Sequence, residues 1–249
     1  MRKSILLLLA VLAFGTAKAQ FNLQLHYDFG RNIYPNAEFD RGLFTATAEF
    51  FRADRLGSTY LFVDTDYRGK GKENQGAIGA YWEVSRDFTF AKVKNSNSSF
   101  TAHIEYDGGL NNAQSFQQAI LVGPAWQWHS NDFSKTFTLQ ALYKQFFSQG
   151  DLKAHASFQI TPVWSLTFAK GLCTFSGFAD LWYGYRPFKE SKGLVFLSEP
   201  QFWFNVIGRG RQNDKFSIGT EWEFSNDFIW GSQDNSFYFN PTLAVKYTF

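Results

Sequence analysis

The closing stretch Thr242-Leu243-Ala244-Val245-Lys246-Tyr247-Thr248-Phe249 sets Leu243, Val245, Tyr247 and Phe249 on one face of an extended chain and Thr242, Ala244, Lys246 and Thr248 on the other. Period two with polar partners is the signature of a strand with one apolar and one wet face. The same alternation opens the chain beyond its first residues. Phe21, Leu23, Leu25, Tyr27 and Phe29 oppose Asn22, Gln24, His26 and Asp28. It recurs where Phe100, Ala102, Ile104 and Tyr106 oppose Thr101, His103, Glu105 and Asp107.

Working outward from these runs gives strands near 21–29, 43–53, 58–67, 76–85, 99–107, 116–128, 133–146, 152–163, 172–185, 194–207, 214–224 and 237–249. That is twelve, an even number, and segments of about ten residues suit a tilted bilayer crossing. The expectation is an all-β fold, a transmembrane antiparallel up-and-down barrel of twelve strands. The short links at 54–57, 129–132 and 208–213 read as periplasmic turns, and 30–42, 68–75 and 225–236 as extracellular loops. Residues 86–98 are long for a turn, and 164–171 reads as a strand extension. The phrase Trp82-Glu83-Val84-Ser85-Arg86-Asp87-Phe88 returns as Trp222-Glu223-Phe224-Ser225-Asn226-Asp227-Phe228, with a fainter echo at Ser130-Asn131-Asp132-Phe133. It marks either a girdle aromatic followed by a turn or a miscounted strand.

Composition agrees with this inversion of inside and outside. Mean hydropathy is −0.27, yet 20% of residues are aromatic, including 30 Phe. A soluble core is filled largely with Leu, Ile and Val. A barrel in lipid needs an apolar exterior, aromatic girdles and a polar interior. At the other end of the chain Arg2 and Lys3 precede an apolar run from Ile5 to Phe14 and the small-residue site Ala17-Lys18-Ala19. This is the layout of a cleaved secretory signal peptide over residues 1–19, leaving 20–249 as one barrel domain. Removing 1–19 takes three of the 24 basic residues and none of the 22 acidic ones, so 21 face 22 and the net charge becomes −1. That balance gives no electrostatic reason to expect nucleic acid. With Cys173 alone, no intramolecular disulfide forms.

The strand ending on Phe249 resembles the carboxy-terminal signal that outer-membrane proteins present to their assembly machinery. An ordinary edge strand would leave an aromatic row unpaired. The expected location is therefore the bacterial outer membrane, with the lipid bilayer and the assembly machinery as partners.

On this register the inward face carries Asp28, Glu49, Asp64, Asp66, Glu83, Glu105, Asp107, Asp180, Glu221 and Glu223, with Lys144, Lys153, Lys215 and Lys246. Two readings stand: internal pairs that fill the barrel, or a solute path. In a path, carboxylates accept hydrogen bonds from hydroxyls, and Tyr81, Trp182 and Trp203 offer stacking faces. No cofactor is expected. The four His residues, 26, 103, 129 and 155, lack metal-ligand spacing, and no Gly-rich phosphate loop precedes a helix.

His155-Ala156-Ser157 puts a base and a nucleophile on one strand face and resembles the His-x-Ser pair of the outer-membrane phospholipases. In that family the pair faces lipid and an Asn orients the His. Here it falls on the polar face, no third group is evident, and Gly does not follow the Ser. A lipid hydrolase and an adhesion barrel with partner-binding loops are the alternatives to a channel.

Arg52-Ala53-Asp54-Arg55-Leu56-Gly57-Ser58-Thr59-Tyr60-Leu61-Phe62-Val63-Asp64, then Tyr67, then Gly79-Ala80-Tyr81-Trp82-Glu83-Val84-Ser85, resembles the amino-terminal hairpin region of the Tsx-type nucleoside channels. Asp64 and Glu83 sit at matching motif positions. The resemblance implies a monomeric, narrow channel for nucleosides or similar small polar solutes.

Overall fold

The computed structural model describes residues 19–34, 42–69, 75–112, 116–186, 191–208, 215–229 and 234–249. The export segment falls outside these residues except for Ala19, as do the lysines at 70 and 72. Thirteen strand segments follow in order: β1 (Ala19–Asp28), β2 (Phe44–Asp54), β3 (Gly57–Arg68), β4 (Gly76–Lys92), β5 (Ser98–Asn111), β6 (Ala119–His129), β7 (Lys135–Phe146), β8 (His155–Phe168), β9 (Cys173–Tyr185), β10 (Lys192–Ser198), β11 (Gln201–Ile207), β12 (Phe216–Asn226) and β13 (Phe237–Thr248). One helical turn, α1 (Gly30–Ile33), follows β1.

Each segment pairs antiparallel with its neighbours, and β13 returns to β1 through Asn22↔Thr248 to Asp28↔Thr242. The sheet is therefore closed and has no edge to protect. Segments β10 and β11 occupy a single position in the wall. Ser198 pairs with Ala179 and Gln201 with Ser176, so the register against β9 does not slip across the break. Pro200 lies at that break and has no N–H to donate. Its carbonyl still accepts from Trp222 N at 2.9 Å. The barrel thus has twelve strands, as the alternation predicts.

Exposure follows the alternation. In β1, Asn22, Gln24, His26 and Asp28 are buried inside, while Leu23 and Leu25 are 44% and 45% exposed on the outside. Ile104, Val122, Leu139, Ile160, Leu181, Ile218 and Val245 continue that outer apolar belt. Aromatic contacts flank it on both sides. Phe21 and Phe249 stand 5.4 Å apart, and Trp126 and Phe137 5.9 Å apart, near the rim that carries both chain ends. Tyr27 meets Phe29 at 4.9 Å and Phe44 at 5.4 Å near the opposite rim. This is the girdle arrangement that an outer face in lipid requires.

Boundaries moved where periodicity ran on past a polar residue. Segment β4 continues to Lys92, so the awkward stretch 86–98 becomes strand plus a turn at 93–97 in which Asn95 takes φ 57°. Segment β8 continues to Phe168 but begins only at His155, which puts Lys153 in the preceding loop and exposed. Lys215 is likewise exposed, just ahead of β12. Neither lysine belongs to the inner wall.

The recurring aromatic phrase has three different fates, and none alters the count. Asp87 lies inside β4 and points inward, Asp132 closes a turn, and Asp227 follows β12 at the opposite rim. The Asp132 carboxyl accepts from the Ser130 hydroxyl at 2.6 Å, the Ser134 N–H at 3.1 Å and the Ser134 hydroxyl at 2.8 Å. These donors, led by Ser130, favour the ionised form and pull its pKa from 3.8 to about 2. A depressed carboxyl pKa contributes stability above the unfolded value, and that stability is lost as pH falls through the folded value. Asp132→Asn is therefore expected to lower stability by a constant amount above pH 3.8 and to match the wild type near pH 2. Urea unfolding of both proteins across that range checks it.

Candidate solute path

Because side chains alternate strictly along closed strands, every second residue of each segment converges on one lumen. Among the described residues two hydrogen-bonded chains line it. One begins on β3, where the Tyr60 hydroxyl donates to Glu49 Oε1 at 3.1 Å. Asn22 Nδ2 donates to Glu49 Oε2 at 2.8 Å, and Gln24 Nε2 to Asn22 Oδ1 at 2.9 Å. His26 Nε2 then donates to Gln24 Oε1 at 2.9 Å, which leaves Nδ1 to accept from the Thr242 hydroxyl at 3.1 Å. Glu221 Oε1 lies 3.8 Å from that same nitrogen. Glu221 Oε2 accepts from Gln201 at 2.6 Å, and Gln201 Oε1 accepts from Trp203 Nε1 at 2.9 Å. The chain crosses β3, β2, β1, β13, β12 and β11 in turn.

The second chain occupies the other side. His103 faces Asp87 Oδ1 at 3.1 Å and Glu105 Oε2 at 3.2 Å. Both ring nitrogens thus face carboxylate oxygens, and where those carboxylates are ionised each nitrogen must donate. Lys144 Nζ donates to Asp107 Oδ2 at 2.9 Å and to Gln159 Oε1 at 2.8 Å. Gln159 passes on to Thr161, and Thr161 donates to Asp180 Oδ1 at 2.5 Å.

The charges that remain accessible are mostly negative. Glu49, Asp64, Asp66, Glu83, Glu199, Glu221 and Glu223 are all half-buried on the inner wall. Lys246 is a half-buried cation beside them, held 4.3 Å above the Trp203 ring. Beside the carboxylates on β3 and β4 runs an aromatic track. Tyr60 and Phe62 are 6.0 Å apart, Phe62 and Tyr81 5.9 Å, and Tyr81 and Phe116 5.9 Å, climbing from near the terminal rim to the opposite one.

Of the residues expected from the pattern, Glu49, Asp64, Asp66, Tyr81, Glu83, Glu105, Asp107, Asp180, Trp203 and Glu221 do converge on the lumen. Asp64 and Asp66 accept from Thr47 at 2.5 Å and Thr45 at 2.6 Å, and Glu83 from the Tyr81 hydroxyl at 2.9 Å. Asp28 sits at the rim, where its carboxylate takes the Gly30 N–H at 2.6 Å and holds the start of α1. Trp182 packs on an apolar patch of Ala119, Leu121, Leu142 and Phe146, with Lys144 Nζ 5.1 Å from its ring.

The pattern reading passes over Glu199, whose odd parity with Trp203 in the same strand places it inside. It also leaves Tyr60 and Phe62 outside the candidate set, although both share the parity of Asp64. His155 and Ser157 do face inward, but they do not bond each other. Ser157 donates to the backbone carbonyl of Tyr183, and His155 Nδ1 to that of Lys153 at 3.2 Å while its ring stacks on Phe146. Among the described residues, the Ser157 hydroxyl donates only to backbone carbonyls.

A closed twelve-stranded barrel, apolar and girdled outside, polar and acidic inside, has the architecture of a transmembrane β-barrel. Two solved structures share its fold. One is described as the NanC porin (TM-score 0.57, 10% identity, covering 91% of this chain and 98% of that one). The other is the KdgM porin (TM-score 0.50, 10% identity, 92% and 99%). The chain belongs to the family DUF5020, described as a domain of unknown function, whose model matches residues 19–249. No curated protein matches the sequence.

Proposed function

We propose that this protein is an outer-membrane channel for passive diffusion of small polar solutes. The observation that carries the reading is the accessible inner wall, where carboxylates and an aromatic track run side by side inside an apolar outer belt. A solute with a flat face and hydroxyl or amino donors fits such a wall. Its face meets Phe62 and Tyr81 while its donors meet Glu49, Asp64 and Glu83. Nucleosides have that form, in keeping with the Tsx-type resemblance of the β2 to β4 region. Many interior side chains, among them Gln24, His26, His103 and Gln159, are less than a tenth exposed, which favours a narrow passage over a wide pore.

In this reading the chain is exported through its first 19 residues and assembled through the strand that ends on Phe249. It works as a monomer, with the rim that carries the chain ends in the periplasm.

Purified barrel in a planar bilayer is expected to give discrete current steps, and millimolar adenosine is expected to reduce them by occupying the lumen. Sucrose should reduce them less. Absence of steps together with absence of solute uptake by loaded liposomes would sink the channel reading. Steps insensitive to every nucleoside would leave a channel and remove nucleoside selectivity.

A further inference from the structure

We propose that the lumen holds a divalent-cation site formed by Glu83, Glu105 and Asp107. Glu83 on β4 pairs directly with Asp107 on β5, and Ser85 with Glu105, so the three carboxylates project inward from adjacent strands within one step of register. One ligand oxygen from each lies within 4.8 Å of the others. A sequence scan for metal spacing misses this set, because its ligands come from two strands and contain no His or Cys.

Each carboxylate has one oxygen already engaged. Tyr81 donates to Glu83 Oε1 at 2.9 Å, Glu105 Oε2 faces His103 Nε2 at 3.2 Å, and Lys144 holds Asp107 Oδ2 at 2.9 Å. The independent sign of a missing ligand is Asp107 Oδ1. Asp107 is only 5% exposed, and this oxygen is sealed from solvent with no donor to satisfy it, while the Glu105 carboxyl lies against the same side chain. A buried acceptor left without a donor keeps its full desolvation penalty, larger when the group is charged. A cation shared with the neighbouring carboxylates removes that cost.

The donor set is all oxygen, which selects a hard cation. Ca²⁺ accepts irregular oxygen shells completed by water, whereas Mg²⁺ demands near-ideal octahedral geometry. The Lys144 ammonium, paired with Asp107 at 2.9 Å, offsets part of the local negative charge. Affinity should therefore fall in the range of weak extracellular sites, a Kd of about 0.1–1 mM. The rival account of three crowded carboxylates is a proton shared between two of them, which needs no metal.

Calorimetric titration of the folded barrel in detergent with CaCl₂ distinguishes the two. One ion per chain is expected, weakened about tenfold or more by Glu83→Gln and by Glu105→Gln, with the rim variant Asp132→Asn binding as the wild type does. Folding of each variant is verified by far-ultraviolet circular dichroism and by heat-modifiable electrophoretic mobility. No Ca²⁺ heat from the wild type, or heat unchanged in both Gln variants, overturns the site. Millimolar Ca²⁺ should also reduce K⁺ current through the wild type and not through Glu83→Gln. That second readout rests on the channel reading, whereas the calorimetry does not, so a barrel that binds Ca²⁺ without conducting keeps the site and removes the channel.

Discussion

Replacing Lys144 by Met will destabilise the barrel by about 3–5 kcal/mol, and adding Asp107→Asn to the same chain will return most of the loss. The Lys144 and Asp107 side chains are 8% and 6% exposed, with Nζ and Oδ2 2.9 Å apart. Deleting one partner of such a pair leaves a buried charge with nothing to answer it. Met preserves the aliphatic stem that packs between Phe146 and Trp182, whose rings lie 5.1 Å from Nζ, so lost packing contributes little. Asp107 Oδ1 already lacks a donor, and in the variant both of its oxygens would. Asn removes the charge, which is why the double variant should recover. Urea unfolding in micelles, with chelator present to exclude divalent cations, measures the difference. A loss under about 1 kcal/mol for Lys144→Met would mean that water reaches the pair and that this part of the lumen is wet. If the proposed ion site is correct, millimolar Ca²⁺ should also make the single variant less unstable, because a cation then stands beside the orphaned carboxylate.

Alternation carries information about faces, and it made the interior legible: Asn22 to Asp28, Glu49, Asp64, Glu83, Glu105 and Asp107 all point where period two puts them. It carries less about ends. Alternation alone ends the strand at Ser85, yet Arg86 stays in β4 on the outer face near the rim, where both of its terminal nitrogens reach Asp54 at 2.8 Å. A long side chain can hold a charge at the rim while its backbone remains in the ladder. Lys153 failed the opposite way, sharing the parity of His155 while the ladder had not yet begun. The interior chemistry was the least visible, because it depends on register between strands rather than order within one. Nothing in the separate runs around Glu83 and Asp107 announces that they are direct neighbours across β4 and β5. Nor does the sequence around His103 show that it bridges Asp87 and Glu105.

Trp203→Ala is the second large effect expected, and it bears on the passage itself. The ring is 0% exposed although it projects into the lumen, because it lies flat across Gly219 of the neighbouring strand. A Cβ on that glycine would collide with Trp203 Cε3 and the Phe202 carbonyl oxygen. Lys246 Nζ covers the ring at 4.3 Å, and His26 approaches at 6.0 Å with its plane nearly perpendicular. Trp203 thus fills the terminal-rim half of the interior and holds the half-buried lysine against the wall. Truncation to Ala removes a fully packed indole and should cost about 3–5 kcal/mol. Unlike a core substitution in a soluble protein, it should also enlarge the lumen and raise single-channel conductance. Single-channel recording in KCl reads that consequence. If solutes pass beside Trp203, the variant conducts more. Unchanged conductance with the same loss of stability would make Trp203 a packing residue and confine the passage to the β2 to β4 side of the lumen, where the ladder of Tyr60, Phe62 and Tyr81 would carry the solute alone.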